Sequence, residues 1–536
     1  MRTAKALLLV FLILTLICGT IAFAQPSIVW QKCLGGSDID EARSIQQTSD
    51  GGFIVAGATQ SNDGDVSGYH GVWDYWVVKL NSSGRIEWKK CLGGSGGDGA
   101  SSIQQTSDGG FIVAGGTGSD DGDVSGNHGG NDFWVVRLNS SGDIVWQKCL
   151  GGSNRDRAYS IQQTSDGGFI VAGYTRSNDG DVSGWHVGYD SYGYRLPDYW
   201  VVKLNSSGDI VWQKCLGGSG YEEAYSIQQT TDGEFIVAGV TESNDGDVSG
   251  NHGEYDFWVV RLNSSGDIVW QKCLGGSNRD CAYSIQQTSD GGFIVAGVSS
   301  SNDGDVSGYH GNADYWVVKL NSSGDIIWQK CLGGSHGDVA YSIQKTSDGG
   351  FIVAGFSKSN DGDVSGHHGS TLYPDYWVVK LDSSGGIVWQ KCLGGNLVDW
   401  AHSIHQSSDG GFIVAGWTNS NDGDVSGNHG RCDFWVVKLS PVGVSENVIV
   451  PEQFAISVFP NPFNSSCIIT APSGARVEIY DLQGRLISKG IQSFSESQDK
   501  RTFIWQPDET IRSGVYIVKA TMENGWQRVK RVVLIK

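Results

Sequence analysis

Positive charge is scarce in this 536-residue chain: 38 Lys and Arg stand against 58 Asp and Glu, a formal charge of −20. A surface of that sign argues against nucleic acid or an anionic membrane as a partner, and is compatible with bound cations or simply with solubility. Methionine is nearly absent, with two residues, whereas there are 78 Gly and 20 Trp. Glycine serves tight turns and tryptophan half-buried sheet faces, so the composition points to many short strands rather than to helices. After residue 24 no apolar run is long enough to cross a membrane. Also missing is any visible nucleophile with a base and an orienting group.

The first residues, MRTAKALLLVFLILTLICGTIAFAQ, carry Arg2 and Lys5 ahead of an apolar core and then a small-x-small site, Ala22-Phe23-Ala24. This predicts a signal peptide over 1–24, cleaved to leave a mature chain from Gln25. The alternative is a retained membrane anchor, for which the run is short. Seven cysteines, Cys33, Cys91, Cys149, Cys215, Cys273, Cys331 and Cys392, fall at one position of a repeat. Symmetry would hold them too far apart for disulfides, so buried thiols are expected. Cys281, Cys432 and Cys467 break the pattern, and their pairing is open at this point.

The repeat is explicit. An acidic, glycine-punctuated loop running into an aromatic strand, DGDVSGYHGNADYWVVKL at 303–320, occurs seven times, the other copies starting at Asp63, Asp121, Asp179, Asp245, Asp361 and Asp422. One full unit from Ala158 reads AYSIQQT, turn SDGG, FIVAGYT, acidic loop, DYWVVKL, turn NSSG, DIVWQKCLGG, which predicts four strands. Equivalent cysteines are spaced 58, 58, 66, 58, 58 and 61 residues apart. An all-β, seven-bladed β-propeller over 25–440 follows. The lone strand Ile28 to Leu34 would complete the last blade beside Asp433 to Leu439 and close the ring without an edge. A β-solenoid or two smaller barrels are the rival architectures.

Residues 441–453 read as a linker, and 454–536 as a small β-sandwich of alternating strands and glycine turns. Within it, FPNPF at 459–463, VEIYDLQGR at 477–485, SGVYIVKA at 513–520 and KRVVLIK at the terminus resemble the C-terminal sorting domain of type IX secretion substrates. The resemblance implies export across the inner membrane, recognition by the type IX machinery, and secretion or attachment at the cell surface. An accessory sandwich without a sorting role is the alternative. The repeats resemble propeller repeats of secreted bacterial proteins, some of them named glycanases, but no motif transfers a catalytic residue.

In a propeller the acidic loops and the blade connections share one face, and that face carries nearly all the variation between repeats, including insertions at 191–197 and 370–374. Arg155, Arg157, Trp185, Tyr189, Tyr192, Tyr194, Tyr221, Arg279, His336, Tyr373, Trp400 and His402 form the candidate contact set. Each connection keeps an acid, Asp40, Asp98, Asp156, Glu222, Asp280, Asp338 or Asp399, expected either to ring the channel mouth or to cap its own turn.

The acidic loop has the spacing of a twelve-residue calcium loop, with oxygens at positions 1, 3 and 5, Gly at 6 and a carboxylate at 12. The candidate ligands are Asp63, Asp65, Ser67 and Asp74; Asp121, Asp123, Ser125 and Asp132; Asp179, Asp181, Ser183 and Asp190; Asp245, Asp247, Ser249 and Asp256; Asp303, Asp305, Ser307 and Asp314; and Asp422, Asp424, Ser426 and Asp433. In the sixth copy Leu372 takes position 12 and the acid moves to Asp375. The alternative is an Asx-turn loop whose last Asp caps the strand. A His recurs at position 8, from His70 to His429, expected to pack or to bond its own loop.

The function expected from these features is an exported module that binds an extracellular glycan or protein through its variable face. The alternative is a polysaccharide hydrolase, a glycoside hydrolase with two carboxylates on different blades facing one cleft.

Overall fold

The computed structural model describes residues 25–441 and 456–536, apart from 460, 474, 482–484, 488–490, 497–499 and 522–526. The expected signal peptide and nearly all of the expected linker lie outside the described residues. The chain divides into two compact units, Met1–Val442 and Gly443–Lys536. Among the described residues there is no helix, hence none long and apolar enough to cross a membrane.

The first unit repeats one four-stranded antiparallel sheet. After β1 (Ile28–Leu34), the first sheet orders β2 (Asp40–Gln47), β3 (Phe53–Thr59), β4 (Asp74–Leu80) and β5 (Ile86–Leu92) from inside to outside. Five more sheets have the same order, and a final one joins Asp399–Gln406, Phe412–Thr418 and Asp433–Leu439 to β1. We number them sheets 1 to 7 in chain order. The pairing of β1 with Asp433–Leu439, Cys33 opposite Trp435, follows the register that Cys91 and Trp76 keep within sheet 1. The inner strands contact one another in sequence, and the first also contacts the last. This is the β-propeller arrangement.

The sheets are glued by the third strand. In each, the aromatic after the leading Asp packs on the next sheet's Trp: Tyr315 lies 4.5 Å from Trp377, and Phe434 of sheet 7 lies 4.5 Å from Trp76 of sheet 1. Where the residue is Tyr, its hydroxyl also donates to the backbone oxygen of that Trp, at 2.8 Å from Tyr315. The indoles are fully buried and sit in cores built jointly by adjacent sheets.

Each inner strand would expose backbone N–H groups along its edge, and side chains of the preceding sheet take them up. Ser44 Oγ accepts the N–H of Ile103 at 3.2 Å, and Gln46 Oε1 that of Gln105 at 2.7 Å. The ring closes with Ile45 N–H donating to Ser403 at 3.3 Å, while in the reverse direction the turn N–H of Ser408 in sheet 7 donates to Gln47 of sheet 1 at 2.7 Å.

All ten cysteines among the described residues are free thiols. Of the seven that repeat, six are buried and Cys91 is half-buried; Cys281, Cys432 and Cys467 do not pair. In the second unit, Ser457–Phe459, Cys467–Pro472, Lys500–Trp505 and Ile491–Glu496 make one sheet, and Arg476–Asp481, Gly514–Thr521 and Gln527–Leu534 another. Ile469, Ile479, Trp505, Val518 and Val532 share its core.

Candidate functional site

The acidic loop folds back onto the connection that precedes its sheet. In sheet 5, Asp303 accepts the N–H of Ser277 at 2.8 Å, and Asp305 accepts that of Gly275 at 3.3 Å while its own N–H donates to the Gly275 oxygen. Ser307 accepts the side-chain amide of Gln329, whose oxygen in turn takes the Trp316 indole N–H at 2.8 Å. Asp314, fully buried at the head of its strand, accepts both the backbone N–H and the ring Nδ1 of His310, at 2.7 and 2.8 Å. The candidate calcium ligands are thus dispersed among separate protein partners. No group of three or more His, Cys, Asp or Glu gathers as a metal site among the described residues. In sheet 3 the strand-heading acid is Asp198, bonded to His186, whereas Asp190 caps the inserted loop, accepting the N–H groups of Tyr192 and Tyr194 at 2.9 Å. Spacing alone points to Asp190 because the insertion falls after it.

The seven connection acids do not ring a channel mouth. Asp40, Asp98, Asp156, Glu222, Asp280, Asp338 and Asp399 are fully buried, because each turns inward to cap its own turn. Asp40 accepts the Gly36 N–H at 2.8 Å and the Ser61 hydroxyl at 2.9 Å. Gly35, Gly275 and their equivalents wedge between this acid and the strand-heading Asp of the previous sheet: a Cβ on Gly275 would stand 2.6 Å from both Asp256 and Asp280. Burial, with the neighbouring carboxylate adding, raises Asp40, Asp156 and Asp280 to about 6 and Asp399 to about 7.

Sequence differences enter the channel as well as the loops. On each inner strand the second, fourth, fifth and seventh residues are mostly half-buried, with a bulge after the third, and the fifth and seventh line a well on the axis. The fifth and seventh positions repeat Ser and Gln, broken by His405. The second and fourth vary, and there Tyr159, Tyr225, Tyr283 and Tyr341 form an arc with His402, neighbouring centroids 4.9 to 5.0 Å apart. Opposite stand Ser101 and the ion pair Arg43–Glu41. Glu223, 5% exposed, accepts the hydroxyl of Tyr225 at 2.7 Å and of Tyr159 at 3.4 Å; burial raises its pKa.

The contact set divides accordingly. Trp400 and His402, expected in a loop, belong to an inner strand, where Trp400 packs on Phe356 and Trp417. Arg157 is also on an inner strand, 5.8 Å above the Tyr159 ring and against Gly116, while Arg155 is exposed beside it. Tyr221 and Arg279 meet at Tyr255. His336 is exposed on its connection, and Tyr373 sits 41% exposed in the second insertion.

Trp185 is buried, its indole N–H donating to the Leu196 oxygen at 2.9 Å under the Arg195 guanidinium at 4.7 Å. It anchors the first insertion, where Tyr189, Tyr192 and Tyr194 are 55%, 85% and 67% exposed. Sequence reasoning missed the tyrosine arc, Glu223 and Arg195. The recurrence of Tyr at one inner-strand position, interrupted by Arg43, Ser101 and His402, was the available signal.

Residues 457–536 match the family described as the secretion system C-terminal sorting domain. That tail marks the protein for type IX export, to the cell surface or as a secreted protein. The regulatory protein FlaEY of Caulobacter vibrioides is 26% identical over 376 residues, covering 65% of this chain and 37% of that protein, so the chain spans little more than a third of its relative. Among solved structures, one carrying a provisional gluconolactonase assignment aligns at a TM-score of 0.32 with 10% identity, covering 78% of this chain and 93% of its own. A DUF4221 member from Bacteroides vulgatus aligns at 0.31 with 10% identity, covering 62% and 92%. Neither bears on function.

Proposed function

We propose that this is a surface-displayed binding module: a seven-bladed propeller over 25–440, closed by its N-terminal strand and followed by a linker at 441–453 and a sorting β-sandwich over 454–536. A signal peptide over 1–24 opens the export route. The ligand is an extracellular glycan, bound on the variable face around the sheet 3 insertion. The observation that carries the reading is the state of that insertion. Its backbone is tied by Asp190 and Trp185, yet three tyrosine rings stand in solvent. Aromatic rings held out on an ordered backbone offer large contact area at low entropic cost, the property of a recognition surface.

Glu223 favours a second reading, a polysaccharide hydrolase, since a buried carboxyl with raised proton affinity suits a general acid. Screening residues 25–441 against a panel of polysaccharides separates the two. Retention without product supports the binding module; released sugar that disappears in Glu223→Gln supports the hydrolase; no retention on any glycan contradicts the ligand class.

A further inference from the structure

The half of the channel that repeats without variation is a well of about 230 Å³, lined by Ser44, Gln46 and their counterparts in the other sheets, with His405 as the exception. Its chemistry is one-sided. A side-chain amide can accept an N–H only through its oxygen, so the bonds from Gln105, Gln163, Gln229, Gln287 and Lys345 N–H, at 2.6 to 2.7 Å, fix the orientation of five successive side-chain amides. Each commits its oxygen to the neighbouring sheet and leaves its NH2 group for the well. Six of the Ser oxygens are committed likewise, at 3.2 to 3.4 Å, which frees their hydroxyl hydrogens, whereas the Ser403 hydroxyl donates to the Ile45 oxygen at 3.5 Å.

At the break in symmetry, His405 Nδ1 lies 3.1 Å from the Gln344 amide nitrogen. Burial lowers this imidazole to about 4, so it is neutral, accepts at Nδ1 and carries its proton on Nε2. The lining contains no acid, Lys or Arg. A ring of inward donor hydrogens with no carboxylate among them creates a local positive potential, and hydrogen bonds to an ionised acceptor are the stronger kind.

We propose that this well binds a small inorganic anion on the channel axis, at the end of the channel remote from the variable rings and independently of the glycan face. The test uses the full-length protein. Chloride-35 resonance broadening should be saturable and competed by bromide, and crystals soaked in bromide should show one anomalous peak on the axis beside the Gln ring. Gln228→Glu keeps an oxygen for the Gln287 N–H and puts a second oxygen where the NH2 group stood. It should fold, weaken the titration at least tenfold and lose the peak. Absence of saturable broadening in the wild type overturns the proposal, whether or not the variant folds. So does a bromide peak of equal height in Gln228→Glu.

Discussion

Trp76 is the one ring-glue tryptophan whose indole N–H has lost its acceptor, and restoring that acceptor gives a calculable gain. In the other sheets a Gln on the outer strand accepts the N–H, as Gln329 does from Trp316 at 2.8 Å, and passes its own NH2 group to the acidic-loop Ser. In sheet 1 that position is Lys89, and the buried Trp76 Nε1 has no partner. A buried donor left unpaired costs about 1–3 kcal/mol. Lys89→Gln supplies the oxygen to Trp76 and the amide to Ser67 on the pattern of the other sheets, so a gain of about 1–2 kcal/mol is expected. Spread over some 400 residues this moves Tm by only about 2 °C. Urea denaturation is therefore the better assay, with an increased midpoint at unchanged slope. Gln329→Lys, which recreates the sheet 1 arrangement in sheet 5, should lose a similar amount. If Lys89→Gln is neutral or destabilising while Gln329→Lys is also neutral, the indole N–H bond contributes nothing measurable.

The carboxylate pairs set a pH dependence. Asp40, Asp156, Asp198, Asp280, Asp314 and Asp399 have folded values of about 6 to 7, above their unfolded values, so their contribution is complete below about pH 4 and is lost as pH rises to about 7. Melting temperature at constant ionic strength should fall from pH 5 to pH 8; a flat or rising profile contradicts the burial argument. Gly275→Ala drives a methyl group into Asp256 and Asp280 and should cost about 1–3 kcal/mol, read as a lower urea midpoint; wild-type stability would show that the wedge yields freely. Chelator should leave the melt unchanged, because the loop acids are engaged by the protein; a large drop would restore calcium to the loops. Deleting 454–536 should strand the protein in the periplasm, and normal surface display would refute the sorting role.

The repeat made the fold legible. Period-2 strands, glycine turns and a first strand that matches the missing strand of the last sheet carry the sheet order. The local rule failed where an insertion or a bulge moved a residue. Asp190 kept the loop spacing while Asp198 took the structural place, and Trp400 and His402 looked like loop residues but begin an inner strand. The connection acids were ambiguous because a residue just before the channel can turn either to the axis or into its own turn. The unpaired N–H groups of that turn decided it. The tyrosine arc escaped because Tyr in a strand reads as core, and only closure of the ring brings four such strands together.

If the sheet 3 insertion recognises the glycan, Tyr192→Ala/Tyr194→Ala removes the contact. Both rings are exposed and their hydroxyls are not required by the loop's backbone bonds, so stability should be unchanged. Titration calorimetry with a glycan retained by the wild type should show affinity reduced about 30-fold or more, the loss of a hot-spot aromatic worth about 2 kcal/mol. Wild-type affinity in the doubly substituted protein, at an unchanged melting temperature, would mean that the glycan does not bind at the insertion.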